Sequence, residues 1–312
     1  MTLTETSKKR INSRKSQARQ NDFSGIKEKY TLLDVFFYVF IGLTAIICLY
    51  PILNVLAISL SGYQEVLSNS VTWYPKNISF AAYRDIFRRK QIWQAMGTTI
   101  LVTLYGTTTG LVLTTAAAYV LSRNNLPGRK FFSAMILFTM YFSGGIIPTF
   151  VVVKGLGLVD TLGALFIPQA VSVFNFVIMR TFFRELPESL EESAQIDGAT
   201  ELQVLFKIVL PLSVPIIATV GLFYAVQYWN DYFQSLIYIT TDSKYTLQLR
   251  LRSFLFGQEL DAQAQVSGDR GQIMTQSLKM ASIMFATLPI LVVYPWLQKY
   301  FVKGMMLGSV KG

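Results

Sequence analysis

Six apolar runs, each about as long as a lipid bilayer is thick, constrain the fold of this 312-residue chain more than any other feature. A helix needs about 20 apolar residues to cross roughly 30 Å of hydrocarbon. The runs are Val35 to Leu60, Ala95 to Ser122, Phe131 to Val153, Leu162 to Met179, Ile208 to Trp229 and Met280 to Leu297. Only 15% of the residues are charged, whereas soluble domains carry about 25%. The sequence therefore predicts a polytopic membrane protein.

Each run is predicted to be an α-helix, because backbone in lipid must satisfy its hydrogen bonds within its own segment. The alternation of apolar and polar residues that marks a membrane barrel strand is absent. The predicted fold class is an all-α integral membrane protein with six transmembrane helices. Within the third run, Gly144 and Gly145 mark a point where the backbone can unwind or pack closely.

The ends of the chain are expected to lie outside the six-span domain, which covers residues 34–304. Residues 1–33 are polar and basic and are predicted to form a tail, and residues 305–312 form a second tail. The first apolar run is too long for a cleaved signal and is interpreted as an anchor. The net charge of +10 is explained by basic residues that hold helix ends against anionic lipid, so nucleic-acid binding is not expected.

The placement of Lys and Arg predicts the orientation of the chain. More of them lie in the N-terminal tail and in the connections on its side of the membrane than in the opposite connections. The basic side is normally cytoplasmic. Both termini are therefore predicted to face the cytoplasm, together with residues 187–211 between the fourth and fifth runs.

Residue types that carry chemistry are scarce. Cys48 is the single cysteine, the chain has no His, and no Walker-type glycine loop or convincing pair of catalytic acids is found. The chain is therefore predicted not to be an enzyme and to hold no cofactor or metal. The span interiors are almost free of charged residues, which ion-coupled carriers usually need. An external ATPase is the favoured energy source; a gradient-driven carrier or channel, and a membrane enzyme or sensor, are the alternatives.

Residues 187–211 form a short, water-compatible segment between two membrane-length runs. Residues 192–198 read Glu-Ser-Ala-Gln-Ile-Asp-Gly, and residues 208–211 read Ile-Val-Leu-Pro. Small residues permit close approach to another surface, Gly198 permits a sharp reversal, and Pro211 is tolerated in the first turn of the next span. The segment is predicted to be a docking helix, with an ordinary amphipathic surface helix as the alternative.

This spacing resembles the EAA loop of the permease subunits of binding-protein-dependent ABC importers: Glu-Ala-Ala, three residues, Gly, nine residues, Ile-x-Leu-Pro. Ser193 replaces the first Ala and keeps its small volume. In that family the loop is a helix-turn-helix that sits in a cleft of the cytoplasmic ATPase and carries its motion into the membrane. The resemblance implies type I ABC importer permease architecture. It also implies ATPase coupling by Glu192, Ser193, Ala194, Asp197, Gly198, Ala199, Ile208, Leu210 and Pro211.

The C-terminal stretch, residues 300–312, is similar to the end of maltose-type sugar-importer permeases, which commonly close on Gly-Ala-Val-Lys-Gly. The likeness is nearest to the second permease subunit of Firmicute-type complex-carbohydrate importers. It implies a second ATPase contact, with a frayed basic end as the alternative. The residues concerned are Gly308, Ser309, Val310, Lys311 and Gly312.

The resemblance also implies a set of partners in a bacterial cell membrane. These are a homologous second permease subunit, two cytoplasmic ATPases that bind ATP and Mg²⁺, and an extracytoplasmic solute-binding protein. The implied cargo is an oligosaccharide, imported by alternating access, although a non-sugar solute is an alternative because the loop is common to many importers. The outer segment from Thr240 to Gln276 is expected to dock the binding protein or to be a plain solvated connection.

Polar and aromatic side chains at helical spacing mark candidate positions along a translocation path. Tyr224, Gln227, Tyr228 and Asp231 fall on one face of the fifth helix, and Gln169, Ser172 and Asn175 form a similar stripe on the fourth. Tyr141 is a candidate in the third span. A sugar presents hydroxyls and apolar C–H faces, which suit amides and aromatic rings, but hydrogen bonds between helices and interfacial aromatics explain the same residues.

Overall fold

The computed structural model describes residues 32–256, 276–293 and 295, and every regular element within them is helical. The chain forms two compact units, residues 1–53 and residues 54–312. The described part of the first unit is one apolar helix whose side chains are exposed along its length. Exposed apolar residues of this kind suit a lipid environment.

The helices are numbered in chain order. The first six are α1 (Leu32–Ser59), α2 (Tyr63–Leu67), α3 (Ala81–Arg88), α4 (Lys90–Ser122), α5 (Arg129–Tyr141) and α6 (Ile146–Gly155). Two 3₁₀ turns, Leu162–Leu165 and Ile167–Gln169, precede α7 (Val173–Glu185), α8 (Glu188–Ile196) and α9 (Glu201–Val204). A π-helical stretch, Leu205–Val209, leads into α10 (Leu210–Leu212), α11 (Val214–Asn230), α12 (Phe233–Tyr238), a 3₁₀ turn (Asp242–Lys244) and α13 (Leu247–Phe256). The last described helix is α14 (Gln276–Val293).

The described residues provide up to six candidate spans, three as long helices and three as bent pairs. The helices α1, α4 and α14 are long and apolar enough to cross a membrane. The pair α5 and α6 bends by 118°, the two 3₁₀ turns and α7 bend by 51°, and residues 201–212 and α11 bend by 80°. The predicted all-helical, six-span fold is therefore confirmed.

The bends refine the predicted boundaries. The third run breaks at Gly145, which has a φ of 85°, a conformation that glycine adopts without steric cost. The fifth run, predicted to begin at Ile208 with Pro211 in its first turn, is divided by the 80° bend. Pro211 lies before the bend in α10, and Pro215 occupies the first turn of α11 after it.

Small residues make α4 the central packing helix of the second unit. Gly106, Gly110, Thr114 and Ala118 recur every four residues and are all buried, so they form a stripe along one side of the helix. Such stripes let membrane helices approach closely. Here the stripe admits the aromatic side chains of α11.

Tyr224 and Tyr228 of α11 are fully buried against this stripe. Their rings are stacked with centroids 6.3 Å apart and planes 14° from parallel. The Tyr224 hydroxyl lies 2.6 Å from Thr114 Oγ1 and accepts the backbone N–H of Ser172 at 2.9 Å. Tyr224 therefore joins α11, α4 and the start of α7.

Candidate ATPase-coupling site

The coupling segment, residues 187–211, contains two helices joined by a tight turn. At the end of α8, the N–H of Gly198 donates to the carbonyl of Gln195 at 3.0 Å, and that of Ala199 donates to Ala194 at 2.9 Å. This pair of bonds defines a Schellman motif. Gly198 has a φ of 82°, so the predicted chain reversal at this glycine is what the structure shows.

The second helix of the segment starts with a capping box. The Thr200 side chain accepts the backbone N–H of Gln203, and the Gln203 side chain accepts the N–H of Thr200. These reciprocal bonds satisfy two donors that the start of α9 would otherwise leave unpaired. The turn is therefore defined on both sides by local hydrogen bonds that the sequence encodes.

An acidic side chain of α8 attaches the segment to the end of α4. Glu191, which is buried, forms a salt bridge with Arg123. The Arg123 Cζ lies 4.2 Å from the centroid of the Tyr119 ring, and the Tyr119 hydroxyl donates to Glu201 Oε2 at 3.3 Å. Gln195 Nε2 donates to the other carboxylate oxygen of Glu201 at 3.0 Å. Both helices of the segment are thus held by one cluster of charged and aromatic groups.

A second connection lies beside the first. Asn124 Nδ2 donates to Glu188 Oε1 at 2.9 Å, and Arg129 Nη1 donates to Asn124 Oδ1 at 2.6 Å. Both bonds lie at the exposed surface, where interactions of charged groups contribute about 0.2–1 kcal/mol each. Arg123 and Arg129 belong to the basic residues that predict the orientation of the chain, but their contacts with this segment and the role of Glu191 were not predicted. A basic residue directly after a span was the available signal.

Among the large apolar side chains of the segment, three are exposed over more than half of their surface. Ile196 is 86% exposed, Leu202 66% and Phe206 63%. They lie within two turns of Gly198, and sequence reasoning did not single them out. Large apolar groups exposed on a polar segment are candidates for contact with another protein. We call Ile196, Leu202 and Phe206 the apolar face of the segment.

The predicted coupling residues divide between this exposed surface and the packed side. Glu192, Ser193, Asp197, Gly198 and Pro211 are exposed. Ala194, Ala199, Ile208 and Leu210 are half-buried, and the two alanines pack against the main hydrophobic core. The predicted C-terminal contact, Gly308 to Gly312, lies outside the described residues.

The candidate path residues occupy different environments. Tyr224, Tyr228 and Asn175 are buried, and Ser172 caps α7 by accepting the N–H of Asn175 at 3.4 Å. Gln227 and Gln169 are half-buried and share a hydrogen bond of 3.3 Å. Asp231 is half-buried and accepts the N–H of Gln234 at 3.2 Å, while Tyr141 is 86% exposed.

A carboxylate ties two connections together at the opposite end of α11. Asp160 accepts the backbone N–H groups of Thr240 and Thr241 at 3.0 and 2.9 Å and the Thr241 hydroxyl at 2.6 Å. Lys244 Nζ lies 3.0 Å from Asp160 Oδ2. The hydrogen bonds of Thr241, then Lys244, hold the pKa of Asp160 well below its usual range. These bonds of Asp160 join the connection after α6 to the connection after α12.

Within the described ranges, no three His, Cys, Asp or Glu side chains are grouped to hold a metal ion. The features that stand out are six helical spans and a helix-turn-helix between the fourth and fifth. Together they define the class of the permease subunits of type I ABC importers. The chain belongs to the family of inner membrane components of binding-protein-dependent transport systems, whose model matches residues 110–307.

Similar proteins are transport permeases. The chain is 44% identical over 287 residues to the polygalacturonan/rhamnogalacturonan transport system permease protein YtcP of Bacillus subtilis (strain 168), covering 91% of this chain and 100% of YtcP. It is 43% identical over 284 residues to LplC of the same organism, covering 90% and 95%. A solved structure of a bacterial ABC transporter that imports the acidic polysaccharide alginate contains a chain with a TM-score of 0.81 and 33% identity, covering 88% of this chain and 100% of that one.

Proposed function

We propose that this chain is one of two permease subunits of an ATP-driven importer, and that its cargo is an oligosaccharide handed over by an extracytoplasmic binding protein. The observation that carries the proposal is the coupling segment, which is held to α4 on one side and exposes an apolar face on the other. Names of similar proteins, which mention polysaccharides, support a carbohydrate cargo.

In this proposal, the ATPase pushes on the apolar face of the segment. Two connections carry the motion to the membrane helices. The salt bridge between Arg123 and Glu191 connects the segment to α4. The main chain connects it to α11 through residues 201–212 and the 80° bend. Because Tyr224 and Tyr228 pack α11 against α4, both routes move the same helix pair. The ATPases must bind the inward-open and outward-open states with different affinity, or no motion follows.

The remaining subunits are proposed from the resemblance and the family. Two cytoplasmic ATPases bind ATP and Mg²⁺, and this chain contributes no cofactor site. A homologous permease completes the membrane part, and both termini face the cytoplasm. Residues 308–312 make a second ATPase contact, and residues 240–276 contact the binding protein.

For the translocation path, we propose a smaller set of direct contacts than helical spacing predicts. Gln227, Gln169, Asp231 and Tyr141 retain exposed surface, so they can reach a sugar. Tyr224, Tyr228, Ser172 and Asn175 support the wall, because their polar groups are used in hydrogen bonds or buried.

Site-directed crosslinking tests the coupling proposal. In a Cys48→Ser background, Ile196→Cys places a thiol on the apolar face, and Ile78→Cys is the matched control, because Ile78 is 64% exposed between α2 and α3. A short bifunctional reagent should link Ile196→Cys, and not Ile78→Cys, to the ATPase in the assembled complex. Failure to capture the ATPase from a complex that hydrolyses ATP would refute coupling through this segment.

A further inference from the structure

A pocket of about 490 Å³ with both polar and apolar walls lies at the end of α11 opposite the coupling segment. Asn230 at the end of α11, Tyr232 just beyond it, Gln248 and Arg252 on α13, and Thr287 on α14 line this pocket, with apolar side chains between them. The wall thus offers two amides, a hydroxyl, an aromatic ring and a guanidinium. Among the described residues of its wall, none is acidic.

Arg252 is held beside the pocket without an acidic partner among the described residues. Its Cζ lies 5.0 Å from the centroid of the Tyr232 ring, and no salt bridge to it is found in residues 32–256 and 276–293. Arg250 on the same helix is instead buried and paired with Asp242 at 2.7 Å. A guanidinium stacked on an aromatic face keeps its N–H edge for a planar anion.

We propose that this pocket binds the uronic acid unit of an acidic oligosaccharide, an inference that rests on the proposed importer function. The Arg252 guanidinium donates two parallel hydrogen bonds to the sugar carboxylate, a geometry that suits arginine. Asn230, Gln248 and Thr287 donate to or accept from the ring hydroxyls, and Tyr232 holds the guanidinium in place. The acidic unit then occupies a site within this chain.

Two observations favour a carboxylate over a neutral sugar. First, the Arg252 guanidinium has no acidic partner among the described residues, and a sugar carboxylate neutralises its charge whereas a neutral sugar does not. The nearby carboxylate of Asp231 accepts the N–H of Gln234 and is not part of the pocket wall. Second, the solved transporter with a similar chain imports an acidic polysaccharide.

The test measures sugar binding to the full membrane complex in neutral-lipid nanodiscs without the binding protein. Saturation-transfer NMR compares trigalacturonate with neutral galactotriose. Arg252→Gln should weaken trigalacturonate binding by about tenfold or more, because a charge-assisted hydrogen-bond pair is lost, and should leave galactotriose unchanged. Arg88→Gln is the matched control, since Arg88 is an exposed arginine of α3 outside the pocket. It should bind trigalacturonate as wild type does.

Three results would overturn the pocket assignment: equal trigalacturonate binding by Arg252→Gln and wild type, equal losses for both sugars, or displacement of trigalacturonate by added phosphatidylglycerol, which would assign the pocket to lipid. Trigalacturonate binding to the wild-type complex must also weaken as the salt concentration rises from about 0.05 to 0.5 M. This measurement needs no variant. A separate uptake assay keeps the two proposals apart. If the wild-type complex accumulates neither sugar with ATP and binding protein, the importer function fails; if uptake occurs but Arg252→Gln binds normally, only the pocket fails.

Discussion

Gly106 is the position where one added methyl group should do the most damage to the contact between α4 and α11. A Cβ built at Gly106 would lie 2.7 Å from Cδ2 and Cε2 of Tyr228 and 2.9 Å from its Cζ. Carbon atoms pack best at about 3.5–4.0 Å, so the ring must move by roughly 1 Å. Its hydroxyl donates to Gln169 O at 3.2 Å, and the ring is stacked on Tyr224, which limits that movement.

The matched control lies on the same helix. A Cβ at Gly97 would meet no heavy atom within 4 Å, so Gly97→Ala gains only the helix preference of Ala over Gly, about 1 kcal/mol. Gly106→Ala gains the same preference but adds an overpacking cost of about 1–3 kcal/mol. The two variants should therefore differ by about 1–3 kcal/mol in free energy of unfolding, or about 2–10 °C in Tm.

Thermal unfolding of the purified complex checks this expectation. The double variant Gly106→Ala/Tyr228→Leu removes the ring that the methyl group would strike, so the cost of the alanine should largely disappear in that background. If Gly106→Ala is as stable as Gly97→Ala, or if its cost persists without the Tyr228 ring, the close approach of α4 and α11 is not what the structure indicates.

Three further predictions concern the coupling segment, the hydrogen bonds of Asp160 and the C-terminal tail. Gly198→Trp should abolish uptake while the protein still inserts in the membrane, whereas Gly198→Asn, which tolerates the same positive φ, should keep most of it; wild-type uptake by the Trp variant would contradict docking at this turn. Asp160→Asn should lower Tm at pH 7. Because the folded-state pKa of Asp160 is depressed, its contribution is present above its unfolded pKa of about 4 and is lost as pH falls, so the Tm gap should narrow in acid; a constant gap would contradict this. Deleting residues 307–312 should lower ATPase stimulation by the loaded binding protein, and an unchanged rate would favour the frayed-end interpretation.

Apolar run length was enough to predict the spans, because the cost of unsatisfied backbone in lipid leaves helices as the only form such runs can take. The same signal could not place the bends. Residues on both sides of Gly145 and of Ser213 are equally apolar, so hydropathy continues through the break. Gly145 was recognisable because its residue type tolerates a positive φ. At Ser213 the available signal was Pro215, which is compatible with a new helix start and which run length alone does not reveal.

The turn at Gly198 could be predicted from neighbouring residues. The contact that attaches the segment to α4 could not. A Schellman turn depends on residues within one stretch, so Gly198 and its neighbours encode it. The salt bridge between Glu191 and Arg123 joins residues far apart in sequence, and its geometry depends on how α8 meets α4. Likewise, helical spacing placed Tyr224 and Tyr228 on one face, but only the small residues of α4 show which neighbour that face meets.

The division of α8 and α9 into a charged side and an apolar side explains how a short segment can transmit force. A docking surface that was merely exposed would shift against its own subunit when pushed, and the motion would be lost. Here Glu188, Glu191 and Glu201 bind groups on the α4 side, whereas Ile196, Leu202 and Phe206 are left for a partner. Because charged hydrogen bonds hold by direction and apolar contacts do not, this division suits the proposed coupling role, in which the segment stays fixed to its own subunit and slides and releases at the ATPase.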